Sequence, residues 1–98
     1  MERFALFLKP SAIKDLDHLR KYDPVIVADG IERFLSHSPR KESRSRIKKL
    51  RGIGDPDYRL RLRDYRVFYN VDVLERRVNV LRILHKEQTR KYYAEVTK

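Results

Sequence analysis

Arginine, tyrosine and histidine carry most of the chemistry this sequence offers, and the densest set lies between Tyr58 and Tyr69. The run Tyr58 to Arg63, YRLRLR, alternates strictly. An extended chain sends alternate side chains to opposite faces, so Leu60 and Leu62 point one way and Arg59, Arg61 and Arg63 the other. A second run, YRVFYNVD from Tyr65 to Asp72, is rich in strand formers and follows a very short turn. With Asp64 and Tyr65 as that turn, Arg63 pairs with Arg66 and Arg61 with Phe68. Arg59, Arg61, Arg66 and Phe68 then share one face, and a bulge or three-residue turn would change that parity. Like charges opposite one another destabilise a sheet. The cluster therefore guards an edge strand against aggregation, pairs with carboxylates such as Asp57 or Glu87, or forms a concave anion site. The anion site is the favoured reading. A guanidinium fork matches phosphate oxygens and stays charged at neutral pH. Several of them on rigid strands can stabilise charge that develops on a phosphate in a transition state.

The charge distribution supports a polyanionic partner. Ninety-eight residues carry a net charge of +10. Residues 1–39 hold six basic and six acidic side chains, and residues 40–98 hold 18 basic and eight acidic. The whole excess thus sits in the second part, mostly as Arg interleaved with Tyr, which favours nucleic acid or a ribonucleoprotein over a merely solvated face. An anionic membrane is the weaker alternative, because the basic residues do not follow one amphipathic helix. The absence of Cys excludes disulfide scaffolds, thiolate metal sites and thiol nucleophiles. Three His without HxxxH-type spacing offer no metal site, and Gly52-Ile53-Gly54 is too short for a phosphate loop. No apolar run approaches a membrane span, and the first 15 residues lack the features of a signal peptide, so a cytoplasmic protein without a cofactor is expected.

The elements that must position these residues can be read from hydropathy. Arg3 to Leu8 reads as a strand. Pro10 or Ser11 opens a helix to about Lys21, with Ala12 or Ile13, Leu16 and Leu19 on its apolar face. Asp23 is expected to cap a second helix, with Pro24 at its first position, running to about His37 through Val27, Ile31, Phe34 and Leu35. Ser38 to Arg51 is polar and basic, and Gly52, Gly54 and Pro56 mark a loop. After the two central strands, Val78 to Leu84 is a third, and His85 to about Val96 a terminal helix. No repeat or domain boundary is visible. The expectation is one α+β domain, β-α-α-β-β-β-α, spanning residues 1–98. A small curled, mainly antiparallel sheet carries an N-terminal helical hairpin on one face and ends in a short C-terminal helix. Tyr92 and Tyr93, about 100° apart on a helix, should divide between core and surface. Phe68, Tyr65 and Tyr69 read as packing residues, and His18 and His37 as surface ones.

The stretch KKLRGIGDPDYRLRLRDYRVFYNVD, Lys48 to Asp72, resembles the RelE/ParE superfamily of type II toxin–antitoxin toxins. The family pattern is KLRG, a short loop, then YRLRxGDYRVxY. The tail ILHKEQTRKYY, Ile83 to Tyr93, resembles the closing HRxxVY segment, and KPSAIKDLDHL resembles the first helix. RelE-like members cut mRNA in the ribosomal A site, whereas ParE-like members poison DNA gyrase. The resemblance places Arg59, Arg61 and Arg66 on basic positions of the RelE active site and Tyr93 on its functional Tyr, which favours the RelE-like branch. RelE has Lys where Arg59 and Arg61 stand, and Arg where Glu87 stands. His85 stands where relatives often have His and RelE itself has Gly.

The resemblance implies metal-independent attack of the ribose 2′-OH on the adjacent phosphate, giving a 2′,3′-cyclic phosphate and a 5′-OH. Such a reaction needs a proton acceptor, cations for the phosphorane and a proton donor. Arg61 and Arg66 are expected to stabilise charge, with Arg59 and Lys86 orienting the backbone. An imidazole moves protons in either direction near neutral pH, which makes His85 a candidate, although it could equally begin the terminal helix. Tyr93 is a candidate base or stacking platform, and Asp57 a lesser base candidate. Arg90, Lys48, Lys49 and Arg51 are expected to contact RNA phosphates. The implied partners are the ribosome, mRNA and a cognate antitoxin with an acidic segment covering the basic face. The neutral helical hairpin is a further docking surface for it. The competing readings are a gyrase poison and a non-catalytic RNA- or ribosome-binding domain.

Overall fold

The computed structural model describes residues 3–52 and 55–97, so the Gly54 part of the expected loop, with Ile53, lies outside the described residues. Strand β1 (Ala5–Leu8) leads into helix α1 (Pro10–Asp17) and helix α2 (Asp23–Leu35). Strands β2 (Ile47–Lys49), β3 (Tyr58–Leu62), β4 (Tyr65–Asp72) and β5 (Arg77–His85) follow. A 3-10 turn, Lys86–Gln88, then opens helix α3 (Thr89–Val96). One sheet has the order β1-β5-β4-β3-β2, with β1 parallel to β5 and the other pairs antiparallel.

The alternating pattern divides the sheet into two unlike faces. Leu60, Leu62, Val67, Tyr69, Val78, Val80 and Ile83 pack against Ala12, Val27, Ile31 and Leu35 of the helical hairpin. Val27, Ile31 and Leu35 recur every four residues, which makes one stripe along α2. Gly30 brings that helix close to the sheet, since a Cβ there would lie 2.7 Å from both methyl carbons of Leu62. The opposite face has a smaller core of Phe68, Leu84 and Tyr92, flanked by Leu50, Tyr93 and Val96. α3 covers only this part and leaves the arginines beside it open.

The edge of β5 is completed by a helix rather than a strand. β1 pairs only with Arg77 to Val80. Beyond that point Ser11 Oγ donates to the Leu81 carbonyl at 2.7 Å, and the Ile83 N–H donates to Asp15 Oδ2 at 2.9 Å. Ser11 and Asp15 are one turn apart on α1 and so reach the strand together. Leu81 is the extra residue of a bulge opposite the Phe68–Tyr69 step.

Four sequence expectations are corrected. α1 ends at Asp17, short of Lys21. Asp23 is the first residue of α2 and makes no cap; its carboxylate accepts the Tyr65 hydroxyl at 2.6 Å. The basic stretch before Gly52 contains β2, in which only Ile47 is buried, so alternation over three residues is too short to detect. The central hairpin turns on Arg63 and Asp64, with Leu62 opposite Tyr65, Arg61 opposite Arg66 and Arg59 opposite Phe68. The expected shared face survives this shift because the register moves by two residues, which keeps parity.

Arg63 has φ +54° at the turn, where the family pattern quoted above has Gly. A left-handed backbone suits glycine better than any residue with a Cβ. Arg63→Gly should therefore stabilise the protein by about 0.5–1 kcal/mol, seen as a Tm rise of roughly 2–6 °C.

Tyr69 is fully buried and donates its hydroxyl to the Pro39 carbonyl at 2.7 Å. Burial holds its ionisation far above the usual phenol range, with the neighbouring Tyr58 adding to the shift. Tyr65 is also raised, first by its hydrogen bond to Asp23, and Tyr92 first by burial. The folded protein thus keeps phenolic protons that the unfolded chain loses above pH ~10. This contribution to stability is complete below that pH and falls as pH rises above it. Urea midpoints measured between pH 8 and 11 should drop over the last unit. Tyr69→Phe should shallow that drop and cost about 1–3 kcal/mol at pH 8 by orphaning the Pro39 carbonyl.

Candidate functional site

β2, β3 and β4 set the cations side by side on the open face. Lys48 lies opposite Arg59, and Arg61 lies opposite Arg66, as directly paired cross-strand residues. Such pairs bring Cβ atoms to within about 4.5–5.5 Å. Arg66 is fixed by its own turn: its Nη1 donates to the carbonyls of Arg63 and Tyr65, both at 2.9 Å. Its hold on its proton is weakened first by burial, then by the charges of Arg61 and Arg59, and partly restored by Tyr93 and Asp64. Arg59 is half-buried, and its Nε is buried with no hydrogen-bond partner among the described residues. An anion entering this site would relieve repulsion and satisfy donors that are already in place.

A groove of about 430 Å³ runs beside Arg59, lined by Lys48, Lys49, Leu50, Arg51 and Tyr93. Tyr93 comes from α3 and rests edge-on against Phe68, with ring centroids 5.6 Å apart and planes at 88°. Tyr92 takes the core position, 4.7 Å from Phe68. The two tyrosines therefore divide as the helical angle requires. Phe68 and Tyr69 are fully buried packing residues, and Tyr65 packs against the hairpin core.

Three expected site residues lie elsewhere. His85 is opposite Tyr65 in the register, which puts it on the hairpin face, away from Arg61 and Arg66. Its ring sits edge-on to Tyr65 at 5.7 Å. Its Nδ1 accepts the Glu87 N–H at 3.2 Å while its own N–H donates to Gln88 Oε1 at 3.0 Å, so it caps the segment leading to α3. Lys86 is tied to the hairpin turn. Its N–H donates to the Asp64 carbonyl at 2.6 Å, and its Nζ lies 3.4 Å from the Asp64 carboxylate. Arg90 is exposed on α3 and does not line the groove. Glu87 is also exposed and makes no ion pair with the arginine cluster among the described residues.

Two sets of contacts were not anticipated. Asn70 Oδ1 accepts the Asp57 N–H at 2.6 Å, and its Nδ2 donates to Asp55 at 2.8 Å, which ties the loop before β3 to the sheet. Its position two and four residues after Phe68 and Arg66 placed it on the same face, and that parity was the available signal. Arg46 donates from Nη1 to the Arg61 carbonyl at 3.2 Å and lies over the Phe34 ring. Nothing local in the sequence marks that contact. Among the described residues no group of three acidic or His side chains could hold a metal ion, and no helix is long and apolar enough to cross a membrane.

A family model described as ParE toxin of type II toxin–antitoxin system, parDE, matches residues 6–90. Among solved structures, a double arginine-to-alanine mutant of the E. coli toxin RelE in the free state aligns with a TM-score of 0.72 and 27% identity, covering 96% of this chain and 94% of that one. The archaeal RelE–RelB complex from Pyrococcus horikoshii aligns at 0.62 and 28% identity, covering 88% and 97%. A RelBE toxin–antitoxin complex from Mycobacterium tuberculosis, at 24% identity and a TM-score of 0.68, shares the fold over 85% of this chain and 98% of its counterpart. Comparison with curated proteins finds no significant match.

Proposed function

The chain belongs to the RelE/ParE superfamily of toxins from type II toxin–antitoxin systems, and from that membership we propose that it is a ribosome-dependent endoribonuclease that cuts mRNA in the A site. The observation that carries this reading is the convergence of Arg59, Arg61 and Arg66 beside Tyr93 on one open sheet face. The chain's own residues divide the work. Lys48, Lys49, Arg51 and Arg59 line the groove and hold the RNA backbone. Arg61 and Arg66 lie where charge builds on the phosphorane oxygens. Arginine keeps its proton at working pH, so β3 supplies charge and not a base. Tyr93 orients the 2′-OH and relays its proton to solvent as the O2′–P bond forms, and the O5′ released when the P–O5′ bond breaks takes a proton from solvent, leaving a 2′,3′-cyclic phosphate and a 5′-OH. His85 has a capping role here and takes no part in this scheme. In the cell, a cognate antitoxin with an acidic segment is proposed to cover the basic face and stop translation inhibition.

Primer extension on mRNA held on programmed ribosomes tests the reading, with naked RNA as control. A new 5′ end inside the A-site codon, seen only with ribosomes, supports it. The description of the matching family model favours one second reading, a gyrase poison. No cut on ribosomes together with inhibition of purified gyrase in a supercoiling assay would establish that reading instead.

A further inference from the structure

A second cleft, of about 240 Å³, opens where the α1–α2 connection meets the tip of the central β-hairpin and the end of β5. Arg20, Asp23, Arg63, Asp64, Tyr65 and His85 line it. Its two carboxylates are already engaged. Asp23 accepts the Tyr65 hydroxyl at 2.6 Å, and the Asp64 carboxylate lies 3.4 Å from Lys86 Nζ. Its donors are free. The guanidinium groups of Arg20 and Arg63 make no hydrogen bond or ion pair among the described residues. His85 adds a third donor. Its Nδ1 accepts the Glu87 N–H at 3.2 Å, so the neutral ring carries its proton on Nε2, which has no partner among the described residues. The exposed Glu87 carboxylate, 3.8 Å from Nδ1, does not line the cleft.

Arg63 holds its place in this cleft at φ +54°, a backbone conformation that disfavours any residue with a Cβ. Such strain concentrates at ligand clamps and active sites. The backbone of the turn is fixed on both sides. The Arg63 carbonyl accepts Arg66 Nη1 at 2.9 Å, and the Asp64 carbonyl accepts the Lys86 N–H at 2.6 Å. We propose that this cleft is a second anion site, which takes a tetrahedral phosphate group between Arg20, Arg63 and the His85 Nε2–H. Guanidinium forks match phosphate oxygens in pairs, and the imidazole N–H completes the set. The three donors come from three separate elements, so they suit a ligand whose oxygens point in several directions. A planar carboxylate, with two oxygens, fits them less well. Tyr65 and Arg66 are adjacent in β4 and point to opposite faces, so the cleft lies across the sheet from the arginine cluster. Its ligand can bind together with RNA at the cluster, and binding does not depend on which reaction the cluster performs.

The test uses the full chain, labelled with nitrogen-15 and held at constant ionic strength. Three probes are added: inorganic phosphate, adenosine 5′-monophosphate, and a ten-nucleotide single-stranded RNA with hydroxyl ends. Phosphate, against a sodium chloride control, is expected to shift the amides of Arg20, Arg63, Asp64 and His85 and the His85 ring nitrogens. The same response is expected in Arg61→Ala, which changes only the cluster across the sheet. Arg63→Gly and Arg20→Ala, checked for folding by circular dichroism, should each weaken phosphate binding here at least tenfold. Arg63→Gly should do so while Tm rises, so that lost binding is not lost folding. Phosphate or the monophosphate binding at these amides, with no RNA response there, assigns the ligand to a free phosphate. RNA acting on the same amides at lower concentration than either assigns it to a nucleic-acid backbone. Phosphate shifts confined to Arg59, Arg61, Arg66 and Tyr93, a response lost in Arg61→Ala, or one unchanged in Arg63→Gly would overturn the proposal.

Discussion

Arg61→Ala should lower ribosome-dependent mRNA cleavage about 10²–10³-fold and at the same time make the protein slightly more stable. Both effects have one cause. Arg61 is exposed and sits directly opposite Arg66, and its charge is among the causes that weaken Arg66's hold on its proton. Removing one of two like charges that face each other should gain about 0.2–1 kcal/mol. In the transition state the same repulsion is reversed, because a phosphorane with spreading negative charge binds best where positive charge is concentrated and already oriented. Arg66→Ala should cost activity similarly but give no clear gain in stability, since it also frees the carbonyls of Arg63 and Tyr65. The double variant should lose less than the product of the two single losses if both arginines act on one phosphate. Single-turnover cleavage on programmed ribosomes and thermal melts of the same preparations check this. Unchanged cleavage in Arg61→Ala would remove Arg61 from the stabilisation of the phosphorane, and a lower Tm would show that the cluster is neutralised within the fold.

The legible part of this chain is the part built from alternation. YRLRLR and YRVFYNVD state which side chains share a face, and parity outlasted a one-residue error in where the hairpin turns, because that error shifts the register by two. The helical stripe Val27, Ile31, Leu35 was equally plain. What escaped depended on contacts distant in sequence. β2 exists because Ile47 finds Leu60, and three residues carry too little pattern to announce that. His85 looked chemical by type, but a bulge at Leu81 and the pairing with Tyr65 set it on the hairpin face, where its ring nitrogen caps a turn. The capping contacts with Glu87 and Gln88 are local and fit the alternative that His85 begins the terminal segment, whereas the face it lies on is set by the distant pairing. Asp23 looked like a cap, yet the Tyr65 hydroxyl, 42 residues away, claims its carboxylate. The site itself was half visible: its β3 and β4 arginines were fixed by parity, whereas the groove beside Arg59 forms only when β2 and α3 close on it.

Asp15→Ala should be the most damaging single surface-directed change outside the cores, costing about 3 kcal/mol and lowering Tm by roughly 10–15 °C. The carboxylate satisfies three donors at once. Arg82 reaches it through Nε at 2.7 Å and Nη2 at 3.1 Å, and the Ile83 N–H through a third bond at 2.9 Å. The Asp15 side chain is only 15% exposed and that of Arg82 33%. Alanine would therefore leave a largely desolvated guanidinium without its counter-ion and an edge N–H without an acceptor, just where β1 no longer covers β5. Asp15→Asn keeps an oxygen for Ile83 and removes the charge, so it should fall between the two. Arg82→Ala leaves the Ile83 bond intact and should cost less than Asp15→Ala; the double-mutant cycle then isolates the ion pair. The damage should also travel. Arg82 lies opposite Phe68, and its guanidinium sits 5.7 Å from the Tyr92 ring, so it links α1 to the small core under α3. Hydrogen exchange in Asp15→Ala should accelerate first at Ile83 and then along Thr89–Val96, the helix that carries Tyr93 to the groove. Cleavage should then fall because Tyr93 is no longer held beside Arg66, and a loss confined to stability, with α3 still protected, would show that the two faces of the sheet are mechanically independent.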